Sequence, residues 1–221
     1  MDKSKIFSHV DHTVLRPTST WDEVKKLCEE AIKYKTASVC IPPCYVVPVK
    51  EAFPALNICT VIGFPLGYST KATKVAETLE AVENGAKEID MVVNICDVKN
   101  KNFQKITEEI AALKKAAGKN ILKVIIETCF LTEEEKVALC RCVTEGGADY
   151  IKTSTGFGTA GAQLDDIALF KKHIGENVKI KASGGIKTRE DFEKFIEAGS
   201  NRIGASAAVT ALEAAGTADG Y

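Results

Sequence analysis

An eight-stranded α/β barrel, the (β/α)8 or TIM fold, is the architecture this sequence predicts, and three observations predict it. Eight short apolar runs rich in Val, Ile and Cys recur along the chain, and a segment of helical period follows each. No Gly-x-Gly-x-x-Gly follows an early strand, and a flavodoxin-like open sheet would need fewer units. The 221 residues suit one such barrel, so a single domain is expected over 1–221, with a glycine-containing tail at 216–221.

After a short polar start, Val10-Asp-His-Thr-Val-Leu15 reads as the first strand, and Pro17-Thr-Ser-Thr20 turns the chain into a helix over 21–34. Ala37 to Ile41 is the second strand, stopped by Pro42-Pro43, with a loose helix over about 45–53. Asn57 to Gly63 is the third, leading through Phe64-Pro-Leu-Gly67 to a helix capped by Ser69 or Thr70 and ended by Asn84-Gly85. Lys87 to Asn94 is the fourth strand, and a long helix over 98–117 is expected to close at Gly118. Ile121 to Glu127 is the fifth, followed by a helix that opens on Thr132 and ends at Gly146-Gly147. Tyr150 begins the sixth strand, with a helix over 163–173, and Val178 to Ser183 is the seventh. Thr188-Arg-Glu-Asp191 caps the next helix, which ends at Gly199. Arg202 to Ser206 is the eighth strand, with a last helix to about residue 215.

Composition excludes several classes of function. With 29 basic and 30 acidic residues the net charge is −1, which leaves no electrostatic footprint for nucleic acid or an anionic membrane. No apolar run approaches the roughly 20 residues that span a bilayer, and the start lacks a signal-peptide core, so a cytoplasmic protein acting on a small molecule is expected. The eight cysteines form no Cys-x-x-Cys pair and the three histidines are scattered, so reduced thiols are expected and no metal site. Oligomeric state is left open, a homodimer included.

Candidate chemistry gathers at the strand ends, where a barrel builds its active site. In Tyr150-Ile-Lys-Thr-Ser-Thr-Gly-Phe-Gly-Thr-Ala-Gly161 the period of two puts Lys152 on the inner face with Tyr150 and Ser154. A desolvated ammonium is costly, which favours the free amine that attacks carbonyls, so Lys152 is a Schiff-base candidate. The competing reading is a lysine that snorkels to solvent. Lys181 on the seventh strand is expected to point inward near the same mouth, where a second cation favours the neutral amine further. Asp90 and Asp11 are inward carboxylates, with Asn94 on the same face as Asp90, that could either pair with the lysines or transfer protons. Thr155-Gly156-Phe157-Gly158, Ser183-Gly184-Gly185-Ile186 and Gly204-Ala205-Ser206 follow the last three strands. Glycines there let backbone N–H groups approach an anion, the pattern of a phosphate site.

These residues resemble the class I deoxyribose-phosphate aldolases over nearly the whole chain. The likeness rests on Val10-Asp-His-Thr-Val-Leu15, Val39-Cys-Ile41, Val61-Ile-Gly-Phe-Pro-Leu-Gly67, Glu88-Ile-Asp-Met-Val-Val-Asn94, Lys123-Val-Ile-Ile-Glu-Thr128, Asp149-Tyr-Ile-Lys-Thr-Ser-Thr-Gly-Phe157 and Lys179-Ile-Lys-Ala-Ser-Gly-Gly-Ile186. The resemblance implies that Lys152 forms the Schiff base, Lys181 is its partner lysine, Asp90 relays protons, Asp11 supports them and Cys40 lies near the substrate. It implies phosphate binding at Gly156, Gly184, Gly185, Gly204 and Ser206, phosphosugar and aldehyde substrates, and no cofactor. Where some members carry a lysine this chain has Phe157, so any phosphate contact from that side chain is absent. Some members also end in a tyrosine that assists proton transfer, a role that would fall on Tyr221. A transaldolase-like barrel and a non-catalytic sugar-phosphate sensor are the alternatives, and the paired lysines argue against the sensor.

Overall fold

The structure is a computed structural model and describes residues 1–214; the Tyr221 and tail expectations lie outside the described residues. Eight parallel strands pair in sequence order, and the eighth returns to the first, so no edge is left open. They are β1 (Val10–Thr13), β2 (Ser38–Ile41), β3 (Ile58–Ile62), β4 (Glu88–Val92), β5 (Ile121–Ile125), β6 (Tyr150–Lys152), β7 (Lys179–Ser183) and β8 (Arg202–Ala205). Their residues are buried almost throughout, because helices cover one face and barrel-filling side chains the other.

The helices are α1 (Lys3–Phe7), α2 (Trp21–Tyr34), α3 (Val46–Ala52), α4 (Lys71–Glu83) and α5 (Ile95–Lys99), then α6 (Phe103–Ala117), α7 (Glu133–Glu145), α8 (Leu164–His173), α9 (Arg189–Ala198) and α10 (Ala208–Ala214). Three of them begin on reciprocal capping boxes, Thr20 with Glu23, Thr132 with Glu135 and Thr188 with Asp191. Thr70, rather than Ser69, caps α4.

Three expectations need correction. The polar start holds a helix, α1, whose cap Asp2 accepts from the Ser4 backbone and whose Ile6 and Phe7 are buried. The long helix over 98–117 is two helices, because Lys101 turns left-handed at φ 58° and breaks the ladder between α5 and α6. Asp97 fixes that break by accepting from Asn102 at 3.1 Å and Lys105 at 2.9 Å. Asn94 is not an inward residue of β4. The strand stops at Val92, and the Asn94 side chain caps α5 through the Cys96 and Asp97 backbones.

The main apolar core lies between strands and helices, whereas inside the barrel Cys40, Cys59 and Val61 form a small apolar cluster. Most of the remaining interior is charged. The eight cysteines are free; Cys96, in α5, is exposed, as is Cys44. Among the described residues no helix is long and apolar enough to cross a membrane.

Candidate active site

The register brings the charged side chains together. Asp90 pairs with Lys123 across β4 and β5, and Lys152 with Lys181 across β6 and β7, so β4, β5, β6 and β7 present one carboxylate and three lysines to one layer. Asp90 is fully buried and is the hub of that layer. Its Oδ2 lies 2.7 Å from the Nζ of Lys152 and 2.7 Å from that of Lys181, and its Oδ1 lies 2.8 Å from Lys123 Nζ. Lys181 also pairs with Asp11, so the inward orientation expected for both lysines and both aspartates is met.

The network extends below residues that sequence reasoning singled out. Lys123 reaches Glu88 at 2.5 Å, Cys59 Sγ at 3.3 Å and Asp11 at 3.6 Å. Arg202 joins Asp11 and, at 3.0 Å, Glu88. Ser38 donates to Asp11 at 2.7 Å and Asn57 to Glu88 at 2.6 Å, on carboxylate oxygens that Arg202 also reaches. Lys123, Glu88 and Arg202 were missed, although the argument that isolated Lys152 applies equally to Lys123, a lone cation at an inward position of an apolar run. Glu88 shares the Asp90 face two residues earlier. For Arg202, first residue of its strand, periodicity carries no signal.

Burial acts against the charges on Asp90, Asp11, Lys123 and Lys181, and the ion pairs outweigh it. Desolvation pushes the Asp90 carboxyl up, yet Lys123, Lys152 and Lys181 hold it well below the ordinary carboxylate range. Asp11 is lowered likewise, burial being overcome by Lys181, Lys123 and Arg202. Burial opposes the charge on Lys123 and Lys181 too, but Asp90 and Asp11 raise both above the ordinary ammonium value. These carboxylates favour the charged form of Lys181. Cys40, buried beside Cys59 on the neighbouring strand, has its thiol lowered first by the hydrogen bond with Cys59, and the Cys59 thiol is raised well above normal by burial.

A pH dependence follows, with its sign set by these directions. A carboxyl lowered in the fold stays charged while the unfolded chain takes up protons, so the Asp90 and Asp11 contribution is present above about pH 4 and lost below it. An ammonium raised in the fold contributes stability below about pH 10 and loses it as pH rises further, which applies to Lys123 and Lys181. Urea midpoints should therefore fall on both sides of a neutral plateau, and a midpoint that climbs on acidification to about pH 3 would contradict the network.

Above this layer opens a cavity of about 830 Å³ at the carboxyl ends of the strands. Lys152 lines it, as do Gly156, Gly184, Gly185, Gly204 and Ser206, whereas Lys123 and Lys181 are fully buried beneath. Of the three lysines on Asp90, Lys152 is the one that faces the cavity. Gly156, Gly184 and Gly185 have φ of 89°, 84° and 79°, conformations that turn the backbone around the mouth and that side chains disfavour. Gly204 has a further reason to be glycine. A β-carbon there would lie 3.1 Å from Lys181 Cε and 3.0 Å from Ser183 Cβ, so its bareness makes room for the buried lysine. Cys40 lies in the layer beneath the cavity, near Lys152, rather than in its wall.

Thr155 is at the cavity rim, but its polar groups are engaged by the protein. Its N–H donates to Glu127 at 3.1 Å, its hydroxyl donates to the same carboxylate, and that hydroxyl accepts from the Phe157 N–H at 3.0 Å. Glu127 is buried and itself left-handed, with φ of 54°. It ties the turn after β5 to the glycine turn after β6. This carboxylate was also missed, since an acid at a strand end looks no different from a solvated one. Phe157 packs edge-on against Phe64, ring centroids 5.4 Å apart, and closes one side of the mouth with apolar surface.

Comparison with known proteins adds to this geometry. The model of the DeoC/LacD family aldolases matches residues 5–220. A deoxyribose-phosphate aldolase of Clostridium botulinum (strain Alaska E43) is 62% identical over 214 residues, covering 96% of this chain and 97% of that one. One of Clostridioides difficile is 56% identical over 215 residues, covering 97% and 98%. The solved, tetrameric deoxyribose phosphate aldolase of Aeropyrum pernix superposes with a TM-score of 0.91 at 29% identity, over 98% of this chain and 93% of that one.

Proposed function

This chain belongs to the DeoC/LacD family of aldolases, and from that premise we propose that it reversibly cleaves 2-deoxy-D-ribose 5-phosphate to acetaldehyde and D-glyceraldehyde 3-phosphate, with Lys152 as the Schiff-base lysine. The observation that carries the assignment of Lys152 is a charge count. Asp11, Glu88 and Asp90 supply three negative charges, and Lys123, Lys181 and Arg202 supply three positive ones in direct contact with them. Lys152 is the fourth cation on this cluster and the one that faces the cavity. The buried charges balance without it, so Lys152 is the one amine of the cluster that the fold does not need for neutrality.

The amine adds to the C1 aldehyde of the open-chain sugar, and loss of water gives an iminium. The C3 hydroxyl then gives up its proton, the C2–C3 bond breaks, and its electrons pass to the iminium nitrogen to leave an enamine and D-glyceraldehyde 3-phosphate. Protonation at C2 and hydrolysis release acetaldehyde and restore Lys152. Asp90, which touches Lys152 and Lys181 through one oxygen, passes protons at the carbinolamine step, with Lys181 as its cationic neighbour. The C5 phosphate fits the glycine-lined side of the mouth at Gly156, Gly184, Gly185 and Ser206. Eight free cysteines suit a reducing compartment, so we place the reaction in the cytoplasm.

The decisive experiment traps the intermediate. Incubation with acetaldehyde and borohydride, then peptide mapping, should find an ethyl group on Lys152, because an iminium is reduced and a salt-bridged ammonium is not. An adduct confined to Lys181 or Lys123, or no adduct, refutes the assignment.

A further inference from the structure

Glu127 sits between two residues whose N–H groups both reach the lysine strand. The Ile126 N–H donates to the Lys152 carbonyl at 3.1 Å, and the Thr128 N–H donates to the Thr153 carbonyl at 3.0 Å. A regular parallel ladder advances two residues on each strand between such bonds, but here the chain after β5 advances two while the chain through Lys152 advances one. Glu127 is the extra residue, a bulge with φ of 54°. Left-handed backbone at a non-glycine residue persists only where the surroundings impose it, and it clusters at functional sites. The side chain at this bulge is buried, and it accepts from the Thr155 N–H at 3.1 Å and from the Thr155 hydroxyl. Gly158 closes on the same carboxylate: a β-carbon there would lie 3.1 Å from Glu127 Cδ and 2.7 Å from Cys129 Sγ. The turn over 155–158 is therefore wrapped around one buried carboxylate.

That turn is part of the cavity wall. Thr155, Gly156 and Phe157 line the cavity together with Lys152. The Thr155 N–H and hydroxyl go to Glu127, and the Phe157 N–H goes to the Thr155 hydroxyl, whereas the Gly156 N–H has no acceptor among the described residues. Of these three wall residues, Gly156 is the one whose N–H is left to an anion. We infer that Glu127 is a positioning residue for the phosphorylated end of the substrate: through its bulge and its hold on Thr155 it fixes the turn after Lys152, so that Gly156 presents its N–H to the C5 phosphate. Glu127 is buried and is not part of the wall, so it acts through Thr155 and Gly156 rather than on the substrate. A carboxylate repels phosphate, which makes its contribution one of geometry and not of charge. This inference rests on the aldolase reading above and names what holds one side of its phosphate site.

The test compares cleavage of 2-deoxy-D-ribose 5-phosphate with that of unphosphorylated 2-deoxy-D-ribose, and uses inorganic phosphate as a competing probe. Glu127→Ala should raise KM for the phosphorylated sugar about 10-fold and weaken inhibition by inorganic phosphate by about the same factor, the size of one hydrogen bond to a charged group. The unphosphorylated sugar should keep its kcat/KM within about two-fold, because it makes no contact with the phosphate site. Glu127→Gln keeps the length and an acceptor for the Thr155 N–H, and should bring KM back to within about three-fold of the wild type. Glu127→Asp keeps the charge and tolerates left-handed backbone but is one methylene shorter, so it should match alanine, which gives the same reading if the alanine variant folds poorly. Equal losses on both sugars mean a merely structural glutamate, no loss on either means that the turn holds without it, and a glutamine variant as impaired as alanine means that charge is at work; each overturns the assignment. The borohydride adduct separates this from the premise. Failure to label Lys152 in the wild type refutes the aldolase reading, whereas a labelled Lys152 with KM moving equally for both sugars refutes Glu127 alone.

Discussion

Lys152→Ala should lose turnover by on the order of 10⁴-fold or more and form no borohydride adduct, while remaining folded with a melting temperature close to that of the wild type. The catalytic loss follows because no other lysine of the buried cluster reaches the cavity; Lys123 and Lys181 are fully buried and engaged by Asp90 and Asp11. Retained stability follows from the charge count. Asp90 keeps two cations when Lys152 is removed, and the cluster becomes neutral rather than unbalanced. The matching variants at the other two positions should behave in the opposite way. Lys123→Ala and Lys181→Ala leave buried carboxylates short of a cation, so both should melt well below Lys152→Ala. Circular dichroism melts with single-turnover assays separate these outcomes. Equal destabilisation by all three replacements would mean that Lys152 is a structural ion pair, and the Schiff-base assignment would fall with it.

Asp90→Ala should be the most destabilising single replacement in the barrel interior. It leaves three buried lysines around an empty site, one of them, Lys152, with Asp90 as its one carboxylate contact among the described residues. Breaking a buried pair by removing one partner costs about 3–5 kcal/mol, a large part of the roughly 5–15 kcal/mol that holds a typical domain together. Asp90→Asn keeps the shape and one acceptor oxygen, so it should fold better and yet stay slow, because an amide cannot take up and return the proton moved at the carbinolamine step. Chemical denaturation of the two variants side by side measures this difference. If Asp90→Ala unfolded at the same urea concentration as the wild type, the lysines would have to be satisfied by groups other than those described above.

Much of this arrangement is legible without a structure because it depends on local rules. Alternation along Tyr150 to Lys152 and Lys179 to Ser183 shows which lysines face inward, since a strand has only two faces. Capping threonines mark the starts of α2, α7 and α9, since an orphan N–H near a short hydroxyl side chain is satisfied within a few residues. The same local logic misread 98–117, where a single left-handed residue, Lys101, splits a stretch whose periodicity is helical on both sides.

By itself the sequence determined the barrel, the inward placement of Lys152, Lys181, Asp90 and Asp11, and the glycine turns after β6 and β7, all of which follow from patterns a few residues long. Only the tertiary structure decided how the charges are shared. That Lys123 and Arg202 complete the neutralisation of Asp11, Glu88 and Asp90 depends on strands β1, β4, β5 and β8 closing around one axis. It likewise decided that Thr155 is engaged by Glu127 while Ser154 is left unpartnered among the described residues, and that Gly204 makes room for Lys181. Coulomb energy and desolvation depend on distances between residues far apart in the chain, and barrel closure sets those distances.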